Sequence, residues 1–169
     1  MLKRPVERRP RLRRRRSDPE QPEITFGWEY FTDCVAEARP LLAREHAEVQ
    51  DARFPYDPDW DRLFGWAEAG ALDIWTTRAD DTLIGYASVL FMPHLYSREI
   101  QMGCVHTPYL TPEWRLGMLG YEMFETLFEA LKQRKVDLVD VDLPEGSRLH
   151  KLLSRLGFKV DDVRRRKWL

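Results

Sequence analysis

The stretch Tyr109-Leu110-Thr111-Pro112-Glu113-Trp114-Arg115-Leu116-Gly117-Met118-Leu119-Gly120 constrains this chain more than any other. It closes a segment that reads as a strand, 99–110, and runs directly into an amphipathic helix over 121–134. A strand that ends in a short glycine-bearing loop and opens a helix is a ready anion site. The first-turn amides of the helix have no intrahelical partner, and the helix dipole adds partial positive charge there. Glycines at 117 and 120 let that backbone approach a ligand. With the strand expected at 136–141, the strand, helix and strand form a right-handed parallel crossover, so the sheet is mixed.

The rest of the chain supplies the other layers. A short strand is expected at 24–28, then a helix over 34–49 with Asp33 as its cap and Pro40 either kinking it or marking its true first turn. Pro55-Tyr56-Asp57-Pro58 reads as a loop, with Pro58 in the first turn of a helix to residue 69 and Gly70 closing that helix. Strands at 72–77 and 83–92 make an antiparallel hairpin around Ala79-Asp80-Asp81. Pro108, inside strand 99–110, removes a ladder donor and marks a bulge or an edge. Phe124, Leu127, Phe128 and Leu131 recur at helical spacing and form the core stripe of helix 121–134. A buried-type strand at 136–141, a helix over 147–156 ended by Gly157-Phe158, and a last strand toward Trp168 complete the order. There is no internal repeat.

At 169 residues with 43% hydrophobic content, the chain is long enough for one sizeable core and too short for two ordinary domains. The net charge of −1 hides an asymmetry. Residues 1–16 hold nine of the 27 Lys and Arg and one of the 28 acidic residues, Glu7, which leaves residues 17–169 with 18 basic and 27 acidic, a net of −9. The expected division is a basic disordered arm over 1–22 and one folded domain over 23–169. Ser17-Asp18-Pro19-Glu20 follows the arginine run where a secretory signal needs an apolar stretch, so neither a signal nor a transit peptide is expected. No apolar run approaches the roughly 18 residues of a membrane span. A soluble, cytoplasmic protein with no membrane partner is the expectation. Cys34 and Cys104 lie outside any metal-ligand spacing, so no metal is expected.

Three patches resemble the GNAT superfamily of N-acetyltransferases, particularly its compact bacteriophage-encoded versions. They are Asp81-Thr82-Leu83-Ile84-Gly85-Tyr86-Ala87, Tyr109 to Gly120, and Leu152-Leu153-Ser154-Arg155-Leu156-Gly157-Phe158. The resemblance implies an α+β, three-layer fold: a mixed, mostly antiparallel sheet with a splayed central parallel pair, flanked by helices. It also implies acetyl-CoA as co-substrate, with Arg115, Leu116, Gly117, Met118, Leu119 and Gly120 cradling its pyrophosphate. Leu110, beside Tyr109, would pair its backbone with the pantetheine arm. The sequence departs from the family pattern at Met118, which stands where the middle glycine belongs, and at Leu153, which replaces a frequent general-acid tyrosine.

Acyl transfer to an amine needs a proton acceptor, and an imidazole titrating near 6.5 suits it. His106, just before the loop, is the candidate base; the alternative is a strand histidine hydrogen-bonded to a neighbour. Tyr109 is the candidate to replace the missing acid. Glu99 and Glu113 are poorer bases, Cys104 lacks an activating charge, and His94 reads as an ordinary loop histidine, the alternative being one that faces the acceptor site. The expected activity is transfer of an acetyl group from acetyl-CoA to a primary amine, on a small molecule or a protein, in a ternary complex. The alternative is a catalytically silent GNAT-like interaction or assembly module of a bacteriophage, cytoplasmic in a bacterial host or associated with the virion. Other expected partners are an acidic protein or nucleic acid on the arginine-rich arm, a second copy in a homodimer, and a phage or host protein. The aromatic-acidic segment 54–61 is the candidate acceptor wall, while capping and solubility also explain Asp57, Asp59 and Asp61. The basic run 164–167 is read as blunting an exposed strand edge.

Overall fold

A computed structural model describes residues 12–13, 21–49, 53–115, 117–143 and 147–160. Among the described residues, six strands and four α-helices follow in the order β1 (Leu12–Arg13), β2 (Ile24–Glu29), α1 (Phe31–Val49), α2 (Trp60–Glu68), β3 (Leu72–Ala79), β4 (Thr82–His94), β5 (Ser97–Leu110), α3 (Leu119–Gln133), β6 (Leu138–Val141) and α4 (Arg148–Arg155). The strands lie side by side in chain order. Every neighbouring pair is antiparallel except the last, β5–β6, which is parallel and joined through α3. The mixed sheet and the crossover are therefore as expected.

The helices cover both faces. On one, α3 and α4 press Leu119, Met123, Phe124, Leu127, Leu131 and Leu153 onto Phe26, Trp75, Val89, Val105 and Leu110. On the other, Cys34, Ala38 and Leu41 of α1 lie against Ile74, Leu83, Tyr86 and Tyr109, and α2 packs with Phe31, Val35 and Leu72. Each fully buried leucine of this kind contributes about 1.5–3 kcal/mol relative to leaving it in water.

Several boundaries differ from expectation for local reasons. Helix α1 starts at Phe31, because the Tyr30 carbonyl already accepts from the amides of Asp33 and Cys34 (3.0 and 3.3 Å). Asp33 therefore sits inside the first turn, where its charge complements the dipole. Pro40 lies within an unbroken helix on its exposed side, where water can serve the carbonyl that lost its donor. Asp59, not Pro58, begins α2: its carboxylate accepts from the Arg62 amide at 3.0 Å. Gly70 closes that helix at φ +73°, as its position required.

Strand β6 is shorter than the expected buried-type strand and alternates: Leu138 and Asp140 are exposed while Val139 and Val141 pack on the α3 side. Of the expected arm, Leu12–Arg13 pairs with Phe26 and Thr25, and residues 1–11 and 14–20 lie outside the described residues. So do the expected last strand and the 164–167 run.

Candidate active site

The site is built where β5 outlasts its parallel partner. Pairing with β6 runs from Met102↔Leu138 to Val105↔Val141, and β6 ends there. Among the described residues, 106–110 pair with β4 alone, so the edge of β5 beyond the end of β6 forms the mouth of a wedge. At the same point β5 carries an extra residue: Tyr86 pairs with Tyr109 and Ser88 with His106, so Ala87 faces both Thr107 and Pro108. Pro108 marks the bulge the sequence indicated. Thr107 is held at φ +47°, unusual for a β-branched residue. The bulge reverses the alternation, so Val105 and Leu110, five apart, share the α3-side core while Tyr109 faces α1. Ser88 shares the Tyr86 side of β4, which puts its partner His106 on the α1 face as well. Gly85 is required opposite this turn: a Cβ there would lie 2.7 Å from Leu110 Cδ1 and 2.9 Å from the Tyr109 carbonyl oxygen.

Beyond Leu110 the chain makes a 3-10 turn, Pro112–Trp114, and reaches α3 through Gly117 at φ +74°. The displaced glycine is thus the residue that turns the loop. Met118 occupies the N-cap position and is 55% exposed, so its side chain points away and leaves the backbone accessible. The first intrahelical bond is from Glu122 N to the Met118 carbonyl, which leaves the amides of Leu119, Gly120 and Tyr121 without intrahelical acceptors. A Cβ on Gly120 would stand 3.7 Å from Leu152 Cδ1 of α4, an ordinary contact. Leu116 lies outside the described residues. This loop and the wedge beside it suit a long ligand with an anionic end.

Arg115 faces elsewhere. Its Nε donates to the Leu110 carbonyl (2.6 Å), its Nη2 pairs with Glu48 Oε2 (2.7 Å), and its guanidinium lies 5.0 Å from the Tyr109 ring centre. Its own amide donates to the Pro112 carbonyl. The Tyr109 hydroxyl donates to Glu48 Oε1 at 3.0 Å, and burial first, then that bond and the Glu48 charge, push its pKa up. Arg115 and Tyr109 therefore clamp the loop to α1. His106 stands at the mouth of the wedge, its side chain 41% exposed, with Nδ1 4.0 Å from Asp142 Oδ2.

Sequence reasoning missed Glu45. It follows Cys34, Ala38 and Leu41 on the buried stripe of α1 and is only 6% exposed. Burial first, and the neighbouring Glu48 charge second, raise its pKa to about 7. The signal was present: a glutamate at the next helical step of an apolar stripe.

Other candidates resolve as ordinary structure. Leu153 is core, and the Ser154 hydroxyl donates to the His150 carbonyl within its own helix. Burial, then Asp140 and Asp142, raise the Cys104 pKa, which works against the thiolate a nucleophile needs. His94 Nδ1 accepts from the Tyr96 amide in the β4–β5 turn. In segment 54–61, Tyr56 lies edge-on to His46 with ring centres 5.3 Å apart, and Trp60 lies under Arg39 at 4.3 Å. Among the described residues no cluster of three or more His, Cys, Asp or Glu could hold a metal, and no helix is long and apolar enough to cross a membrane.

No protein-family model matches the chain, and no curated protein matches its sequence. Solved structures do. The chain is similar to a GCN5-related N-acetyltransferase from Ralstonia eutropha JMP134, at 15% identity and a TM-score of 0.69 over 86% of this chain and 98% of that one. An aminoglycoside acetyltransferase from an uncultured soil metagenomic sample, in complex with sisomicin, matches at 12% identity and a TM-score of 0.67 over 86% and 96%. A predicted acetyltransferase with acetyl-CoA from Clostridium acetobutylicum matches at 16% and 0.59 over 86% and 94%. A six-stranded mixed sheet with a bulged strand leading to a helix start, matched over nearly the whole length of such proteins, defines the class: an acyltransferase-type α/β fold. In particular, it is the GCN5-related N-acetyltransferase (GNAT) fold.

Proposed function

We propose that this protein transfers an acetyl group from acetyl-CoA to a primary amine by direct attack in a ternary complex. The observation that carries the reading is the alignment of the β5–β6 wedge with the start of α3. Among the described residues one edge of 106–110 carries no strand, which suits pairing with an extended pantetheine arm, and the amides of residues 119–121 suit the pyrophosphate at its far end. Leu110 and Gly117 to Gly120 are the proposed binding residues, with Leu116 between Arg115 and Gly117. Arg115 and Tyr109 act from behind, holding the loop to α1. The likeness to solved acetyltransferases favours this reading over a silent assembly module.

When bound, acetyl-CoA supplies the thioester carbonyl that the amine attacks. His106 accepts a proton from the attacking nitrogen as the C–N bond forms. The C–S bond breaks, and the thiolate is protonated from His106 or from water, since Leu153 offers no hydroxyl. The exposure of His106 suits this exchange. Isothermal titration calorimetry tests the reading: micromolar to millimolar binding of acetyl-CoA is expected, and absence of binding at millimolar ligand overturns it.

A further inference from the structure

One bond of the clamp between the loop and α1 falls on the edge that the cofactor would use. The Thr111 amide donates to the Ile84 carbonyl at 2.9 Å, while Gly85 pairs with Leu110 and Tyr86 with Tyr109. Along an antiparallel ladder, residues alternately turn both backbone groups toward the partner strand or away from it. Tyr109 and Thr111 are therefore turned to β4, and Leu110 is turned out, to the side where β6 has ended. Pro108 has no amide to offer. Leu110 thus carries the outward donor and acceptor at this end of β5, and its carbonyl is already taken: Arg115 Nε donates to it at 2.6 Å.

Arg115 is tethered at its other end. Nη2 pairs with Glu48 Oε2 at 2.7 Å, Glu48 Oε1 accepts from the Tyr109 hydroxyl at 3.0 Å, and the guanidinium lies 5.0 Å from the Tyr109 ring centre. The bond to Leu110 is charge-assisted, hence about twice as strong as one between neutral groups. Yet the Arg115 and Glu48 side chains are 37% and 38% exposed, so the guanidinium can swing off the carbonyl into water while Glu48 keeps hold of Nη2. Arg115 therefore satisfies the carbonyl when the edge carries no ligand and stands in the way of one that would pair there.

We propose that Arg115 is a displaceable cap on the Leu110 carbonyl that makes the site selective for thioesters bearing a diphosphate. The inference rests on the acetyl-transfer reading and deepens it. An extended arm that pairs with Leu110 in both directions accepts from its amide and donates to its carbonyl, and the second bond requires Arg115 Nε to withdraw. A neutral arm by itself exchanges a charge-assisted bond for a weaker one. A ligand that also places a diphosphate at the amides of residues 119–121 offsets that loss at the far end of the same molecule. The cap thus opens the Leu110 carbonyl only to a long ligand that fills both ends, and an acyl-pantetheine without phosphates is refused. No contact between Arg115 and phosphate is needed, in keeping with the direction of its side chain toward Glu48.

Calorimetry of wild type, Arg115→Ala and Glu48→Gln tests the cap, with acetyl-CoA and with S-acetylpantetheine, the same thioester arm without its phosphates. Wild type is expected to prefer acetyl-CoA at least about 100-fold. In Arg115→Ala the affinity for S-acetylpantetheine should rise about tenfold, the difference between a charge-assisted and a neutral bond, and the preference should shrink accordingly. Glu48→Gln keeps an acceptor for Tyr109 and loosens the tether, so a smaller rise of about threefold is expected. S-acetylpantetheine that gains nothing in Arg115→Ala, while acetyl-CoA still binds, overturns the inference. A preference that shrinks only because acetyl-CoA weakens also overturns it, since Arg115 would then serve the phosphates directly. Should Arg115→Ala bind neither ligand, Glu48→Gln decides: a gain for S-acetylpantetheine sustains the cap and none overturns it. Wild type that binds both ligands equally overturns the cap alone. Wild type that fails to bind acetyl-CoA overturns the transfer reading itself.

Discussion

Glu48 links three parts of the site: one oxygen accepts from Tyr109, the other pairs with Arg115, and its charge helps keep Glu45 protonated. Removing His106, which stands apart at the wedge mouth, should separate chemistry from binding. His106→Ala is expected to cut turnover about 100-fold and leave acetyl-CoA affinity unchanged, as read by steady-state kinetics beside calorimetry. Glu45 makes a prediction about stability as well. Its folded pKa of about 7 exceeds the ordinary value of 4.5, so between those two pH values the folded state binds the extra proton. Stability from this group is therefore full below about pH 4.5, falls as pH rises through about 7, and stays low above it. Glu45→Gln should accordingly be more stable than wild type at pH 8, by up to about 3 kcal/mol, with the difference vanishing in mild acid. Denaturant melts at the two pH values check this.

At the scale of elements, the loop between β5 and α3 depends on backbone more than on side chains. Gly117 supplies the left-handed turn and Met118 points outward, so a methionine at 118 costs the proposed cradle no amide. Gly120 faces α4 with room for a methyl and little more. Gly120→Ala is expected to bind acetyl-CoA within a few-fold of wild type, whereas Gly120→Phe should push against Leu152 and weaken binding at least about tenfold, about 1.4 kcal/mol. Equal affinities would mean the amides of this turn do not hold the ligand. The bulge was legible from Pro108, because a missing donor interrupts any ladder. Its partner effect, which puts His106 and Tyr109 on one face, was not, because side-chain alternation gives no warning where a residue is inserted.

For the whole molecule, charge separates the basic first 16 residues from the remainder at −9. An acidic body attracts cationic acceptors over a Debye length of about 8 Å at physiological salt. With a dicationic diamine such as 1,5-diaminopentane as the assayed acceptor, kcat/KM is expected to fall as ionic strength rises, and deletion of residues 1–16 should steepen that fall by removing opposing positive charge. A salt-independent rate would exclude steering.

Hydrophobic periodicity and turn chemistry, both local properties, sufficed to read from sequence alone the order of strands and helices between residues 24 and 156, the crossover, the hairpin, the helix-start loop and Gly70; the pairing of Leu12–Arg13 with β2 was not read. Only tertiary structure decided what each polar group at the site meets. Arg115 belongs to a clamp on α1, Tyr109 is its hydrogen-bonded anchor, Leu153 is core, and Glu45 becomes a buried acid beside the Glu48 charge. The reason is physical: a pKa and a hydrogen bond depend on burial and on neighbours far away in the chain, as in Tyr109 to Glu48, which are 61 apart. Such distances are closed by packing, and no local pattern carries them.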